Sequence, residues 1–513
     1  MGNGVKKRRS ARWVFLSLLA IYLSLQSFAA YRAFYRGQRI DVRRLGYDDH
    51  PLYQQPTRPD GSVDYWQRLN QLEKERVPEA ENFAVALLAV VPEPQVTRTD
   101  RQRWEQYFSA KPSDNRYRLR TGRLLQQLRP SRSRFVGELR QFSLNEYRSD
   151  PVLLAEVRQQ LDGQSQCLEY LLQQLDQRPG YWMPLIRDTG SGNALHCFKQ
   201  DVIHAAREVQ VYLKARCDVQ MVAGDLPGAW QSIRGMFQLA QRQSQSIWPT
   251  EKYAGLARYH QAVEQLNVWV NQIQNQPELL KRVEQKLPDL MQVDDWDRAI
   301  DQFDRANALQ CLDSLIAGDF APEPAYDIPS GRGNPWGWVD QQELAKRWNR
   351  RVDRSLRLWQ DDSTTWEMIA SFQQEVDQPH SFRWTPALGK IALSGSPRAE
   401  ATDYVWGVML RSVPTVGTSD WELVRKFGVM RSQAQLMLAI RMFQLEHQRF
   451  PDDLLQVRQG SKNQTVRRII DSDLCRFDVI TAEGKSILWI YENRTYSTVP
   501  SFILDTLPGQ VEE

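Results

Sequence analysis

Leu154, Val157, Leu161, Leu168, Leu171 and Leu175 recur at steps of three, four and seven residues, the spacing that brings side chains onto one face of an α-helix. A chain patterned this way has to bury that face against other helices, because an isolated helix cannot shield its own apolar stripe from water. Asp150 ahead of Pro151 supplies an N-cap and then the one helical position that tolerates proline. A second amphipathic helix is expected over about 193–223, where Phe198, Val202, Ala205, Val209 and Tyr212 step by four and three. Similar patterns predict helices near 226–246, 253–275, 297–317, 338–374, 398–412 and 421–449. With 513 residues, 42% of them apolar and 17 of them Trp, core supply is no constraint. The expected class is mainly α.

Charge is nearly balanced, 66 basic against 62 acidic residues. Five of the basic ones, Lys6, Lys7, Arg8, Arg9 and Arg12, lie in the first twelve residues, so neither a globally basic nucleic-acid coat nor an acidic disordered chain fits. Between Arg12 and Arg32 no charge occurs. As a helix, residues 13–31 would measure roughly 28 Å, near the thickness of a hydrocarbon core, and a transmembrane anchor is expected there. The rival is a cleaved secretory signal with Ser27 and Ala29 at its cleavage site. Arginines flank both ends. A tail carrying five positive charges is best kept inside, which places the C-terminal part outside the cytoplasm, at an inner (plasma) membrane, or secreted or periplasmic if the leader is removed.

The expected organisation is a cytoplasmic tail (1–12), the anchor (13–31), a linker (32–64), a helical domain (65–320), a Pro- and Gly-rich linker (321–337), a second helical domain (338–450) and a small α+β unit (451–513). In the last of these, Arg476 to Thr481 and Ser486 to Tyr491 read as strands around Glu483 and Gly484, with Thr495 to Val499 as a third, so a small antiparallel β unit is expected. CDVQMVAGDL (Cys217 to Leu226) and CLDSLIAGDF (Cys311 to Phe320) echo each other. Each has a glycine C-cap, Gly224 or Gly318, and an aspartate to start the next element. The first copy with its continuation resembles the helix pairs of tetratricopeptide-like arrays, which implies a helical-hairpin array. LMLAIRMFQLEHQRFPDDLLQV (Leu436 to Val457) resembles a segment of the secretion pseudopilins and of uncharacterised exported, membrane-anchored bacterial proteins. In pseudopilins it follows the membrane helix closely, and here it lies far down the chain.

Two groups of residues invite a chemical reading. Asp188, Thr189, Gly190 and Ser191 spell DTGS, similar to the catalytic loop of pepsin-like aspartic proteases, in which Asp188 would share a proton with a second carboxylate. No second such motif occurs in the chain. Cys197, Asp201, His204 and Glu208 fall on one stripe of a helix, a geometry that allows a metal or a nucleophile with its base. The alternative reading is border residues of an apolar face. Five cysteines without paired spacing read as buried thiols. GRGNPWGW (Gly331 to Trp338) lacks the Lys-Ser/Thr of a phosphate loop, and Asn463 and Asn493 sit in glycosylation-type tripeptides.

The function expected from these residues is a membrane-anchored, non-catalytic helical scaffold that binds a protein partner outside the cytoplasm. The alternative is an exported hydrolase or metalloprotein using Asp188 or the Cys197, Asp201, His204 and Glu208 stripe. Enzymatic activity is left open, with the balance against it, and no catalytic, cofactor or metal residue is assigned. The partners expected are the lipid bilayer through residues 13–31 and a protein. Anionic lipid is a further candidate at 111–140, where nine basic residues face only Asp114 and Glu138. Nucleic acid is not expected.

Overall fold

The computed structural model describes residues 17–24, 27, 49–54, 63–90, 107–108, 119, 144–185, 201–293, 296–317, 339–361, 366–377, 397–412, 418–461, 463–472, 475–482, 485–492 and 502–505. Its longer helices are α1 (Tyr65–Arg76), α2 (Phe83–Val90), α3 (Leu144–Ser149), α4 (Pro151–Asp162), α5 (Ser165–Gln177), α6 (Asp201–Val222), α7 (Leu226–Ser244), α8 (Pro249–Gln272) and α9 (Pro277–Leu290). There follow α10 (Arg305–Ala317), α11 (Gln341–Gln360), α12 (Trp366–Asp377), α13 (Pro397–Ser412), α14 (Thr418–His447), α15 (Leu454–Gly460) and α16 (Gln464–Asp471). Strands β1 (Cys475–Ala482), β2 (Lys485–Glu492) and β3 (Phe502–Asp505) come last. The chain divides into two compact units, each assembled from separate stretches: residues 1–72, 185–198 and 296–418 form one, and 73–184, 199–295 and 419–513 the other.

In the first unit, Trp348 of α11 is fully buried, its indole Nε1 donating to the Asp304 carbonyl at 3.3 Å and its ring meeting Trp406 of α13 edge-on. Asp340 caps α11 by accepting from the Glu343 amide at 3.0 Å, while its own amide donates to Thr402 Oγ1 on α13 at 2.8 Å. Ahead of α10 the backbone opens into a π-helical turn, Ala299–Asp304, a distortion that persists only where its surroundings hold it. Here the holding group is Arg305. Its guanidinium, 1% exposed, donates to Asp301 Oδ1, Asp353 Oδ1 and Asn349 Oδ1 at 2.7, 2.8 and 2.8 Å.

In the second unit, Gly224 ends α6 at φ +76°, where a side chain would be strained, and Asp225 caps α7 by accepting from the Gly228 amide at 2.9 Å. This is the first copy of the sequence echo; Gly318 and Asp319 of the second lie outside the described residues. Helices α7 and α8 then pair tightly, with Trp230 and Trp269 in ring contact and Trp269 Nε1 donating to the Leu226 carbonyl at 2.9 Å. Asn82 clamps Trp182 from both sides of its peptide, donating to its carbonyl at 3.0 Å and accepting from its amide at 3.1 Å. Helix α14 is tied to the end of α8 by Arg441, which donates twice to the Ile273 carbonyl, at 3.2 and 2.8 Å. A cation at a helix C-terminus also meets the negative end of the helix dipole.

Helix α14 stops at Gln448, which adopts φ 57°. A non-glycine residue there is strained by about 1–2 kcal/mol. Gln448→Gly is therefore expected to stabilise the protein by about 0.5–1 kcal/mol after its own entropy cost, even with loss of the exposed Gln448 bond to the Leu445 carbonyl. Urea denaturation checks this, and a lower midpoint would show the side-chain bond to be worth more than the strain.

Three expectations are corrected. The mainly helical class stands, but its transmembrane helix does not: among the described residues no helix is long and apolar enough to cross a membrane. Of residues 13–31 only 17–24 and 27 are described, all of them helical. The anchor, the bilayer partner, the single-pass topology and the membrane localisation lose their support with it. The C-terminal sheet is antiparallel in the order β1-β2-β3, but its third strand is Phe502–Asp505. Residues 495–499, expected to provide it, lie outside the described residues. The observed register sets Leu504 against Leu488, an apolar cross-strand pair. Finally, within the basic segment 111–140 only Leu119 is described. It is buried, with its amide donating to the Val90 carbonyl at 2.9 Å, so no described surface there supports lipid docking.

Candidate functional site

The groove of interest lies within the second unit, along α9. That helix buries Leu279, Leu280, Val283 and Leu287, which turns Pro277, Lys281, Glu284 and Pro288 toward a cavity of about 540 Å³. The opposite wall is the α14 stripe Ala439, Met442, Phe443 and Glu446, and α15 closes one side with Val457 and Gly460, with Ser461 and Asn463 beyond them. The turn after Gln448 returns the chain over this surface, and Asp453 starts α15 by accepting from the Gln456 amide at 2.9 Å. Phe443 is held by His447, stacked at 4.1 Å between ring centroids.

One charged side chain is sunk into the wall. Glu284 is only 8% exposed. Its Oε1 accepts from Asn463 Nδ2 at 3.2 Å, while Asn463 Oδ1 caps α16 by accepting from the Thr465 amide at 2.9 Å. Among the described residues no donor reaches Glu284 Oε2. Burial pushes its carboxyl above the ordinary range; the Asn463 bond opposes this, Glu446 adds to it and Lys281 again opposes it. Among the described residues three carboxylates (Glu278, Glu284, Glu446) and one ammonium (Lys281) line the cavity, a balance of −2. The arrangement offers an apolar floor, an acidic rim and one largely buried carboxylate with an open oxygen, which are the parts of a ligand pocket.

Two other polar clusters are closed on themselves. In the second unit, Glu251 is buried and accepts from Tyr181 Oη and Ser246 Oγ, each at 2.6 Å. Burial, and then Glu251 itself, hold the Tyr181 phenol well above its ordinary range, and burial also raises Glu251. Nearby Lys252 is buried and donates to the Ser244 carbonyl at 2.9 Å. In the first unit, His50 Nε2 lies 3.0 Å from Asp301 Oδ2, and His50 Nδ1 accepts from the Leu52 amide at 3.3 Å. Both ring nitrogens are thereby engaged, so this His–Asp pair has none to offer a substrate proton.

The residues singled out from sequence fall elsewhere. Asp188 and Cys197 lie outside the described residues, and so do the side chains of Asp201 and His204, whose backbones belong to α6. Glu208 is buried on the same helix. Among the described residues no group of three His, Cys, Asp or Glu could hold a metal ion; three of the four stripe side chains lie outside those residues. The membrane-anchored scaffold reading is corrected as well, since no described helix supplies its anchor. Asn463, noted as a glycosylation-type position, instead has its side chain engaged as cap and donor. Glu284 carried no sequence signal beyond lying on an amphipathic helix. No protein-family profile, curated protein or solved structure matches this chain.

Proposed function

We propose that the chain acts by binding, holding a small ligand in the groove of α9, α14 and α15 without reacting with it. The observation that carries this reading is Glu284, a desolvated carboxylate with one oxygen bonded and the other facing an apolar-floored cavity of about 540 Å³. That volume is in the range of small-molecule sites, about 300–1,000 Å³. That second oxygen is the polar atom a ligand donor would meet on entering the groove.

Gly460 supplies the test. It lines the groove, and a Cβ built on it meets nothing within 4 Å, so Gly460→Trp adds an indole at the groove wall without a clash at its Cβ. The full chain is expected to bind a neutral naphthyl dye with saturable fluorescence, and Gly460→Trp to weaken that binding about tenfold or more at unchanged thermal midpoint. Equal dye affinity in both proteins would remove the groove from consideration.

A further inference from the structure

Resting on that reading, we infer that the ligand is a small organic cation, a primary alkylammonium whose head meets Glu284 and Glu446 and whose aliphatic body lies on Met442, Phe443 and Val457. Among the described residues the charge lining the cavity is −2, from three carboxylates and Lys281, and in a partly desolvated cleft such an imbalance repels anions and draws cations. The acceptor and donor counts agree with this. Glu284 presents an oxygen with no donor among the described residues, and an ammonium brings three N–H donors and no acceptor. Lys281 does not fill that role, since no ion pair joins it to Glu284 within the described residues; its place on α9 three residues earlier leaves it at the exposed rim. The floor argues for a body as well as a head. A bare metal ion would gain nothing from Met442, Phe443, Val457 and the two prolines, Pro277 and Pro288, whereas each methylene laid on them is removed from water.

Glu284→Gln separates charge from shape. Gln keeps the shape and the acceptor for Asn463 but removes the charge. Because burial raises the Glu284 carboxyl in the folded protein, its ionised form is a liability there. The associated stability is fully present below the unfolded value and lost as pH rises through the folded one. At neutral pH Glu284→Gln is thus expected to raise the thermal midpoint while weakening the cation. A purely structural glutamate would not produce those opposite signs. The charged groups facing it are Glu446 on α14 and Glu278 and Lys281 on α9, and all stay in place in the variant.

The experiment is competition against the naphthyl dye, on the full-length protein at neutral pH, by octylamine, octanol and octanoate, which share a body and differ in the head. Octylamine is expected to displace the dye at about a tenfold lower concentration than octanol, with octanoate weakest, and Glu284→Gln should bring octylamine level with octanol. Equal potency of the three in the natural protein overturns the cation while leaving the groove reading intact. Failure of the dye to bind in a Gly460-dependent way overturns both. A lysine-bearing peptide that outcompetes octylamine overturns the small-molecule assignment in favour of a polypeptide segment.

Discussion

Gly255→Leu is expected to unfold the second unit at ordinary temperature, and even Gly255→Ala to cost about 1–3 kcal/mol. A Cβ at Gly255 of α8 would lie 2.7 Å from the Ser244 amide nitrogen, 3.0 Å from the Ala240 carbonyl oxygen and 3.1 Å from Ser244 Cα. All three are backbone atoms of α7 or its end, so no side chain can swing aside and the two helices must separate. In an open helix the same Gly→Ala change would help by roughly 1 kcal/mol; the clash decides the sign. Separation would also draw the Ser244 carbonyl from Lys252 Nζ, leaving a buried ammonium without that bond. Urea denaturation followed by tryptophan fluorescence reads the loss, and a midpoint for Gly255→Ala at or above that of the natural protein would mean that α7 and α8 do not approach this closely.

Arg305→Met is expected to destabilise the first unit by about 2–4 kcal/mol, somewhat less than the roughly 3–5 kcal/mol for breaking a fully buried ion pair, because Asp301 and Asp353 keep 28% and 34% of their side-chain surface. Water can partly replace the guanidinium at those two carboxylates but not at Asn349, which is fully buried. Arg305→Lys is expected to recover little, since one ammonium cannot span three acceptors set around a planar fork. Acid titration gives a second readout. Burial raises the Asp301 carboxyl, but the His50 hydrogen bond and the Arg305 charge outweigh it and hold the group below its ordinary value. A lowered carboxyl contributes stability that is present above the unfolded value, near 3.9, and is lost as pH falls through the folded one. That acid-labile share should shrink in Arg305→Met. An unchanged pH profile between about pH 5 and 2 would show that Asp301 does not depend on Arg305.

Helix starts were legible because their signals are local. Asp150 with Pro151, and Asp225 after Gly224, act within three or four residues, and the structure places an N-cap at each aspartate. The apolar steps from Leu154 to Leu175 likewise reported a buried face, with Val157, Leu161, Leu168, Leu171 and Leu175 in the core, although the one long helix they predict to about residue 177 is broken at Gly163 and Gln164 into α4 and α5. Local signals also misled. The uncharged run at 13–31 meets a length criterion for a membrane span by composition alone, yet no described helix there meets it. The Cys197-to-Glu208 stripe had helical spacing, but spacing on one helix cannot show whether a second element brings the missing ligands.

The groove could not be read in advance, because its decisive pair, Glu284 and Asn463, stands 179 residues apart, and His50 with Asp301 stands 251 apart. What the sequence by itself determined is the identity of the helices and where several begin, since each hydrogen-bonded turn and cap involves near neighbours in the chain. Only the tertiary structure decided which stretches join which unit and which stripe of α9 faces a cavity. That choice depends on contacts such as Arg441 on the Ile273 carbonyl, where a side chain on one helix satisfies the end of another, and no local pattern records a partner so distant along the chain.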